Sequence, residues 1–247
     1  MAVYLTGDKH GSFIQIKQSI DKFRENGGNI YSNDTLVILG DAGFNYFLND
    51  IDDYFKEQVN SLGFEVFCVH GNHEQRPELM KYETGEPMYH LVRFHGSYAY
   101  VQKEYPNIYF AVDGNVYYFN GHYCLVCGGA YSVDKYYRIR KGWQWFLNEQ
   151  PSAETKELIE QKLIKMNHKV DTMLTHTMPY DFRPTEDFIK MTPAERWRVD
   201  NSTEEWFQKI WNENEIGKWY AGHFHCDKEK ADGKIRILYN DIIRLGC

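Results

Sequence analysis

The first 69 residues alternate two kinds of apolar pattern, and that alternation restricts the fold more than any other feature of the chain. Val3–Thr6, Thr35–Leu39 and Phe64–Val69 are short apolar runs of the kind that make buried strands. Phe13–Glu25 instead sets Phe13, Ile16, Ile20 and Phe23 at helical spacing, and Asn26-Gly27-Gly28 closes that helix. Phe47–Leu62 reads as a second helix. A β-α-β-α-β order favours neighbouring parallel strands, so an α/β fold is predicted.

The pattern then changes. Ile108–Val112, Val116–Phe119 and Tyr123–Cys127 are β-rich runs divided by Asp113-Gly114-Asn115 and Asn120-Gly121-His122. Asp-Gly and Asn-Gly between such runs signal hairpins, which predicts an antiparallel meander. Residues 130–151 and 179–202 read as irregular loops, with a helix over Ala153–Met166 and a strand over Val170–Leu174 between them. Thr203–Asn212 is predicted helical, Lys218–Ala221 a strand and Ile235–Arg244 a terminal hairpin. No repeat or interdomain linker interrupts the chain, and one domain over residues 1–247 is predicted.

Bulk properties exclude several classes. A net charge of -7 argues against a surface that coats extended nucleic acid. No stretch approaches the roughly 18 apolar residues of a membrane span. The start, Met1 to Asp8, turns polar too early for a secretory signal. Five cysteines (68, 124, 127, 226 and 247) are odd in number and scattered, which speaks against a disulfide framework and for a reducing, cytoplasmic setting. Cys124 and Cys127 are read as buried structural residues and Cys226 as a spectator.

The chemistry-bearing residues gather behind the predicted strands. Gly7-Asp8-Lys9-His10 follows the first, Gly40-Asp41 the second and Gly71-Asn72-His73-Glu74 the third. His176 follows Val170–Leu174, and Gly222-His223-Phe224-His225 follows Lys218–Ala221. In an extended segment residues i and i+2 point the same way, so His223 and His225 are expected to face one spot. That spot is a metal or merely a polar strand end. Any one block is as well explained as a turn, since Gly and Asp form turns. Together, Asp, His and Asn at five strand ends suit divalent metals, in the place where open α/β sheets build their sites.

The ordered blocks G-D-x-H-G, G-D, G-N-H-E, an isolated His and G-H-x-H, spanning residues 7 to 225, resemble those of the calcineurin-like metallophosphoesterase superfamily. The resemblance implies a sandwich of two mixed sheets flanked by helices. It implies a first metal on Asp8, His10 and His225, a second on Asn72, His176 and His223, and Asp41 bridging both. The two divalent ions would be Mn²⁺, Fe or Zn²⁺. Two such ions, two carboxylates and a bridging hydroxide leave about one positive charge for a phosphate. Asp41 and His73 would be catalytic, with His73 protonating the leaving oxygen or stabilising the phosphoryl group. The implied activity is hydrolysis of a phosphate ester, on a small molecule, nucleotide or phosphoprotein. The competing readings are a non-catalytic metal-binding scaffold of the same fold, and a nuclease or nucleotide phosphodiesterase acting on nucleic acid ends.

One departure is marked. The protein Ser/Thr phosphatases of the superfamily continue the second block as G-D-x-x-D-R-G, whereas Gly40-Asp41-Ala42-Gly43-Phe44-Asn45-Tyr46 lacks that Asp and Arg. Asn72, Arg76 and Arg183 are therefore expected at the phosphate. Arg138 and Arg140, in the aromatic and basic segment 131–146, are expected on the rest of the substrate. A segment that only anchors itself to the sheet through its aromatic side chains is the alternative there. Oligomeric state is left open.

Overall fold

The computed structural model describes residues 1–188, 190, 192 and 197–246. Cys247 and part of the predicted loop 179–202, namely residues 189, 191 and 193–196, lie outside the described residues. The first sheet takes β1 (Val3–Thr6), β2 (Thr35–Leu39), β3 (Glu65–Val69), β4 (Tyr89–Phe94), β5 (Ser97–Gln102) and β6 (Ile108–Ala111). The second takes β7 (Val116–Phe119), β8 (His122–Cys127), β9 (Lys169–Thr175), β10 (Glu215–Ala221), β11 (Lys228–Lys230) and β12 (Ile235–Ile237). β13 (Ile243–Arg244) returns to the first sheet. Their spatial orders are β13-β1-β2-β3-β6-β5-β4 and β11-β12-β10-β9-β8-β7.

Alternation along each strand creates three apolar layers. Val3, Leu5, Val37, Leu39, Phe67 and Val69 of the first sheet meet Cys124, Val126, Leu174 and Tyr220 of the second between the sheets. The opposite face of the first sheet, with Leu36, Ile38 and Val66, packs on Ile16 and Ile20 of α1 (Phe13–Glu25) and Val59 of α2 (Asp50–Asn60). The opposite face of the second, with Leu125, Met173 and Trp219, packs on Ile159 and Leu163 of α4 (Ala153–Lys165) and Phe207 and Ile210 of α5 (Ser202–Glu213). Among the described residues a further α-helix, α3 (Lys135–Lys141), follows β8. This is the predicted α/β sandwich of two mixed sheets. Among the described residues, no helix is long and apolar enough to cross a membrane.

Caps set helix starts. Ser12 Oγ accepts from Gln15 N and Ser152 Oγ from Thr155 N. Asn49 caps α2, and the Asp52 carboxylate accepts from Phe47 N and Leu48 N, so α2 begins at Asp50 rather than at the predicted Phe47.

Three expectations are corrected. The three β-rich runs from 108 to 127 do not form one meander. β6 lies between β3 and β5, whereas β7 and β8 pair in the other sheet, so Asp113-Gly114-Asn115 carries the chain between sheets. Ile235–Arg244 is not a hairpin either: β12 pairs with β10 and β11, while β13 pairs with β1. Residues 130–151 contain α3, closed by left-handed Gly142. In the first two cases local turn chemistry was legible, but the sheet a strand joins depends on distant partners.

Candidate metal centre

β1, β2 and β3 run parallel, as do β9 and β10, so all five polar blocks emerge from carboxyl ends of strands. The loops need close approach. A Cβ on Gly222 would lie 2.4 Å from Asp8 Oδ1 and 2.6 Å from Leu39 O, and one on Gly71 would lie 2.0 Å from Asp41 Oδ1. His10, Asp41, His223 and His225 all have positive φ, between 45° and 68°. Such backbone costs about 1–3 kcal/mol per residue. Burying core side chains at about 1.5–3 kcal/mol each offsets it.

The donor atoms converge in overlapping groups. Asp8, His10 and His225 each place a ligand atom within 4.8 Å of the others; so do Asp8, Asp41 and His176, and so do His10, Asp41 and His73. Asn72 extends the set: its Oδ1 lies 2.7 Å from His176 Nε2 and 3.1 Å from His223 Nδ1. One cluster is thus Asp8, His10 and His225, the other Asn72, His176 and His223, with Asp41 against both. Its Oδ2 is 3.9 Å from His10 Nδ1 and 3.6 Å from His176 Nε2.

The orientation of these groups fits a cation. Asn72 Nδ2 donates to Ser132 Oγ at 2.8 Å, which turns the amide oxygen inward. His176 Nδ1 donates to Leu39 O at 2.9 Å, which aims Nε2 at Asn72 Oδ1 and Asp41. Asp8 Oδ1 accepts from His223 N, but Oδ2 is buried, 3.1 Å from His225 Nε2, and no group bonds to it in hydrogen-bond geometry. Lone pairs converge on shared points, which a positive charge stabilises. His176 reports the same field: burial lowers its pKa, yet Asp41 and Asp8 outweigh burial and raise it to about 9. His223 goes the other way, to about 3, through burial and the neighbouring His176, and so stays in the neutral form that ligates metals.

His223 and His225 do reach the site, by a route other than the expected strand geometry. β10 ends at Ala221, and both histidines sit in left-handed backbone in a bend. The bend sends His223 to Asn72 and His225 to Asp8 and to His10, whose Nε2 is 3.0 Å away.

His73 stands beside the centre. Its backbone N–H donates to Asp41 Oδ1 at 2.8 Å, and its ring packs edge-on against His10 with centroids 5.2 Å apart. Of the four arginines singled out, Arg138 meets His73. Arg76 is instead half-buried, paired with Asp113 at 2.7 Å, and donates to Asn148 O. Arg183 stacks on Tyr180 at 3.6 Å and donates to Asn201 Oδ1. Arg140 is exposed, over Tyr137.

Several supporting groups escaped the sequence reading. Ser132 and the Leu39 carbonyl carry no local signal. The Tyr239 ring stacks on His225 with centroids 4.8 Å apart, from a stretch read only as a hairpin. Glu74 reads in the sequence as an acidic neighbour of the ligands or a helix cap. It is buried and accepts from Gly71 N and Gly43 N, tying together the loops after β3 and β2, and burial with nearby Asp41 raises its pKa to about 8. Cys124 and Cys127 lie in different apolar layers, so they do not face one another.

A family model described as calcineurin-like phosphoesterase matches residues 1–227. The protein TT1561 of Thermus thermophilus aligns over 96% of this chain and 87% of its own, with 13% identity and a TM-score of 0.50. A further crystal structure aligns over 98% and 94%, with 12% identity and a TM-score of 0.55. The phosphopantetheinyl hydrolase of Mycobacterium tuberculosis aligns over 96% and 88%, with 14% identity and a TM-score of 0.47. At identities of 13% and 12%, the first two likenesses are of fold. No curated protein matches the sequence significantly.

Proposed function

The chain belongs to the calcineurin-like phosphoesterase family, and from that premise we propose that it hydrolyses a phosphate ester at a centre of two divalent cations, Mn²⁺, Fe or Zn²⁺. The observation that carries this reading is the position of Asp41 against two donor clusters. Asp8, His10 and His225 would hold one ion, Asn72, His176 and His223 the other, and Asp41 both. When bound, such a pair clamps phosphoryl oxygens and activates water near neutral pH.

The chain's own groups do the rest. The buried carboxylates of Asp8 and Asp41 supply the negative charge that retains the cations, and neutral Asn72 adds a ligand without adding to it. That restraint keeps the centre attractive to an anionic ester. His73, tethered through its backbone to Asp41, is placed to donate a proton or hydrogen bond to the leaving oxygen. The substrate is a phosphate ester of a small molecule, nucleotide or protein, with the net charge of -7 disfavouring extended nucleic acid.

A screen of phosphomonoesters and phosphodiesters with each metal tests the reading. Turnover should depend on added metal and fall by about 10²–10⁴ in His73→Ala, the usual contribution of a general acid or base. Silence on every ester by protein shown to carry two metals would overturn it and leave a non-catalytic scaffold.

A further inference from the structure

The two donor clusters differ in exposure. His176 and Asn72 are buried, whereas the side chains of His10 and His225 are 30% and 49% exposed. His225 is the most exposed of the seven expected ligands, and it hangs from left-handed backbone in a bend. Its ring nevertheless has one flat neighbour. The Tyr239 phenol lies against its face, with centroids 4.8 Å apart and 18° between the planes. Such stacking covers the face and leaves the imidazole edge free. That edge carries Nε2, 3.1 Å from Asp8 Oδ2 and 3.0 Å from His10 Nε2.

Tyr239 is itself fixed through its backbone. The Asp227 carboxylate, two residues beyond His225, accepts from Tyr239 N at 2.8 Å and from Asn240 N and Asp241 N at 3.1 Å. The Tyr239 carbonyl accepts from Thr6 Oγ1 at 3.4 Å and from the buried Lys9 Nζ. Gly7 makes room for this approach, since a Cβ there would lie 1.8 Å from Leu238 O. Tyr239 also lies beyond residues 1–227, which the family model matches, so membership of the family does not account for it. We propose that Tyr239 is the positioning residue of His225, a clasp over the outer cation: its ring restrains the imidazole plane and keeps Nε2 turned to Asp8 and His10. The inner cluster of Asn72, His176 and His223 is oriented separately, by Ser132 and the Leu39 carbonyl. The two cations are therefore unequal, and Tyr239 governs retention of the outer one alone. This rests on the reading of Asp8, His10 and His225 as the ligands of one cation.

The test is titration calorimetry of Zn²⁺ into the chelated full chain, with elemental analysis of the loaded protein. Two ions should bind the wild type. Tyr239→Ala should weaken one of them by about 10- to 100-fold, the usual cost of losing a group that orients a metal ligand, and leave the other unchanged. Tyr239→Phe, which keeps the flat ring, should bind like the wild type. His225→Ala should weaken the same ion, and adding Tyr239→Ala to it should change nothing further, because the two side chains act as one unit. Unchanged binding in Tyr239→Ala would overturn the proposal, as would equal weakening of both ions. So would additive losses in the double variant, or a Tyr239→Phe as impaired as Tyr239→Ala. Should Tyr239→Ala fail to fold, Tyr239→Leu decides, since it keeps the bulk without the flat face; wild-type affinity in it would overturn the proposal. A wild type that binds fewer than two ions overturns this inference together with the two-cation centre. One that binds two and hydrolyses no ester defeats the hydrolytic reading, while the calorimetry still decides this one.

Discussion

Asp41 lies against both donor clusters, so in the proposed centre one carboxylate would govern the occupancy of both ions. Residues that merely orient metal ligands are worth about 10- to 100-fold, and a shared ligand should exceed that. Asp41→Asn is therefore expected to lower turnover by more than about 100-fold and to reduce bound metal measured by elemental analysis; near-normal turnover in a metal-loaded variant would exclude the shared role. Ser132→Ala probes the layer behind. Freeing the Asn72 amide to turn should weaken metal binding by about 10- to 100-fold, read by titration calorimetry, with little change in the melting temperature. His176 gives the pH dependence. Its folded pKa, about 9 against an ordinary 6.5, is raised. Protonated His176 thus stabilises the metal-free fold fully below about 6.5, and that contribution is lost as pH rises through 9. Metal competes with that proton, so apparent affinity should climb over the same interval. Melting curves of chelated and loaded protein between pH 6 and 9.5 should converge at the acid end and separate towards the alkaline end.

At the scale of elements, five strands end at the proposed ligands, and the turns rather than the strands aim them. Four of the seven residues expected as ligands, His10, Asp41, His223 and His225, hold left-handed backbone there. The glycines beside them set how closely the loops approach. Gly222→Ala would press a methyl group onto Asp8 Oδ1 and Leu39 O at once. Overpacking of this kind costs about 1–3 kcal/mol, so a lower melting temperature should come with weakened metal binding; an unchanged melting curve would show that the loop can yield. These blocks were legible because Gly-Asp, Gly-Asn and Gly-His each followed an apolar run. α3 was not, because Tyr136-Tyr137-Arg138-Ile139 has no single apolar face, and Arg138 is its buried residue.

For the whole molecule, the centre joins two sheets: Asp8, Asp41 and Asn72 come from the first, His176, His223 and His225 from the second. Metal binding should accordingly stabilise the sandwich as a whole. A ligand at one hundred times its dissociation constant adds about 2.7 kcal/mol. Chelation should lower the melting temperature, and Mn²⁺ or Zn²⁺ should restore it. A melting temperature indifferent to metal would mean that the sheets are held by their apolar layer alone.

Hydrophobic periodicity in the sequence determined the parallel opening half, most helix positions and the strand ends at which polar groups collect, because these depend on neighbours a few residues away. The order of the blocks named the residues expected as ligands. Only the tertiary structure decided that β6 and β7 part into different sheets, that β12 and β13 do the same, and that a left-handed bend rather than a strand end carries His223 and His225 to the site. It also brought Ser132 to Asn72, across 60 positions, and Arg138 to His73, across 65. Such pairings follow from how two sheets stack, and local sequence leaves no periodic trace of contacts made over that separation.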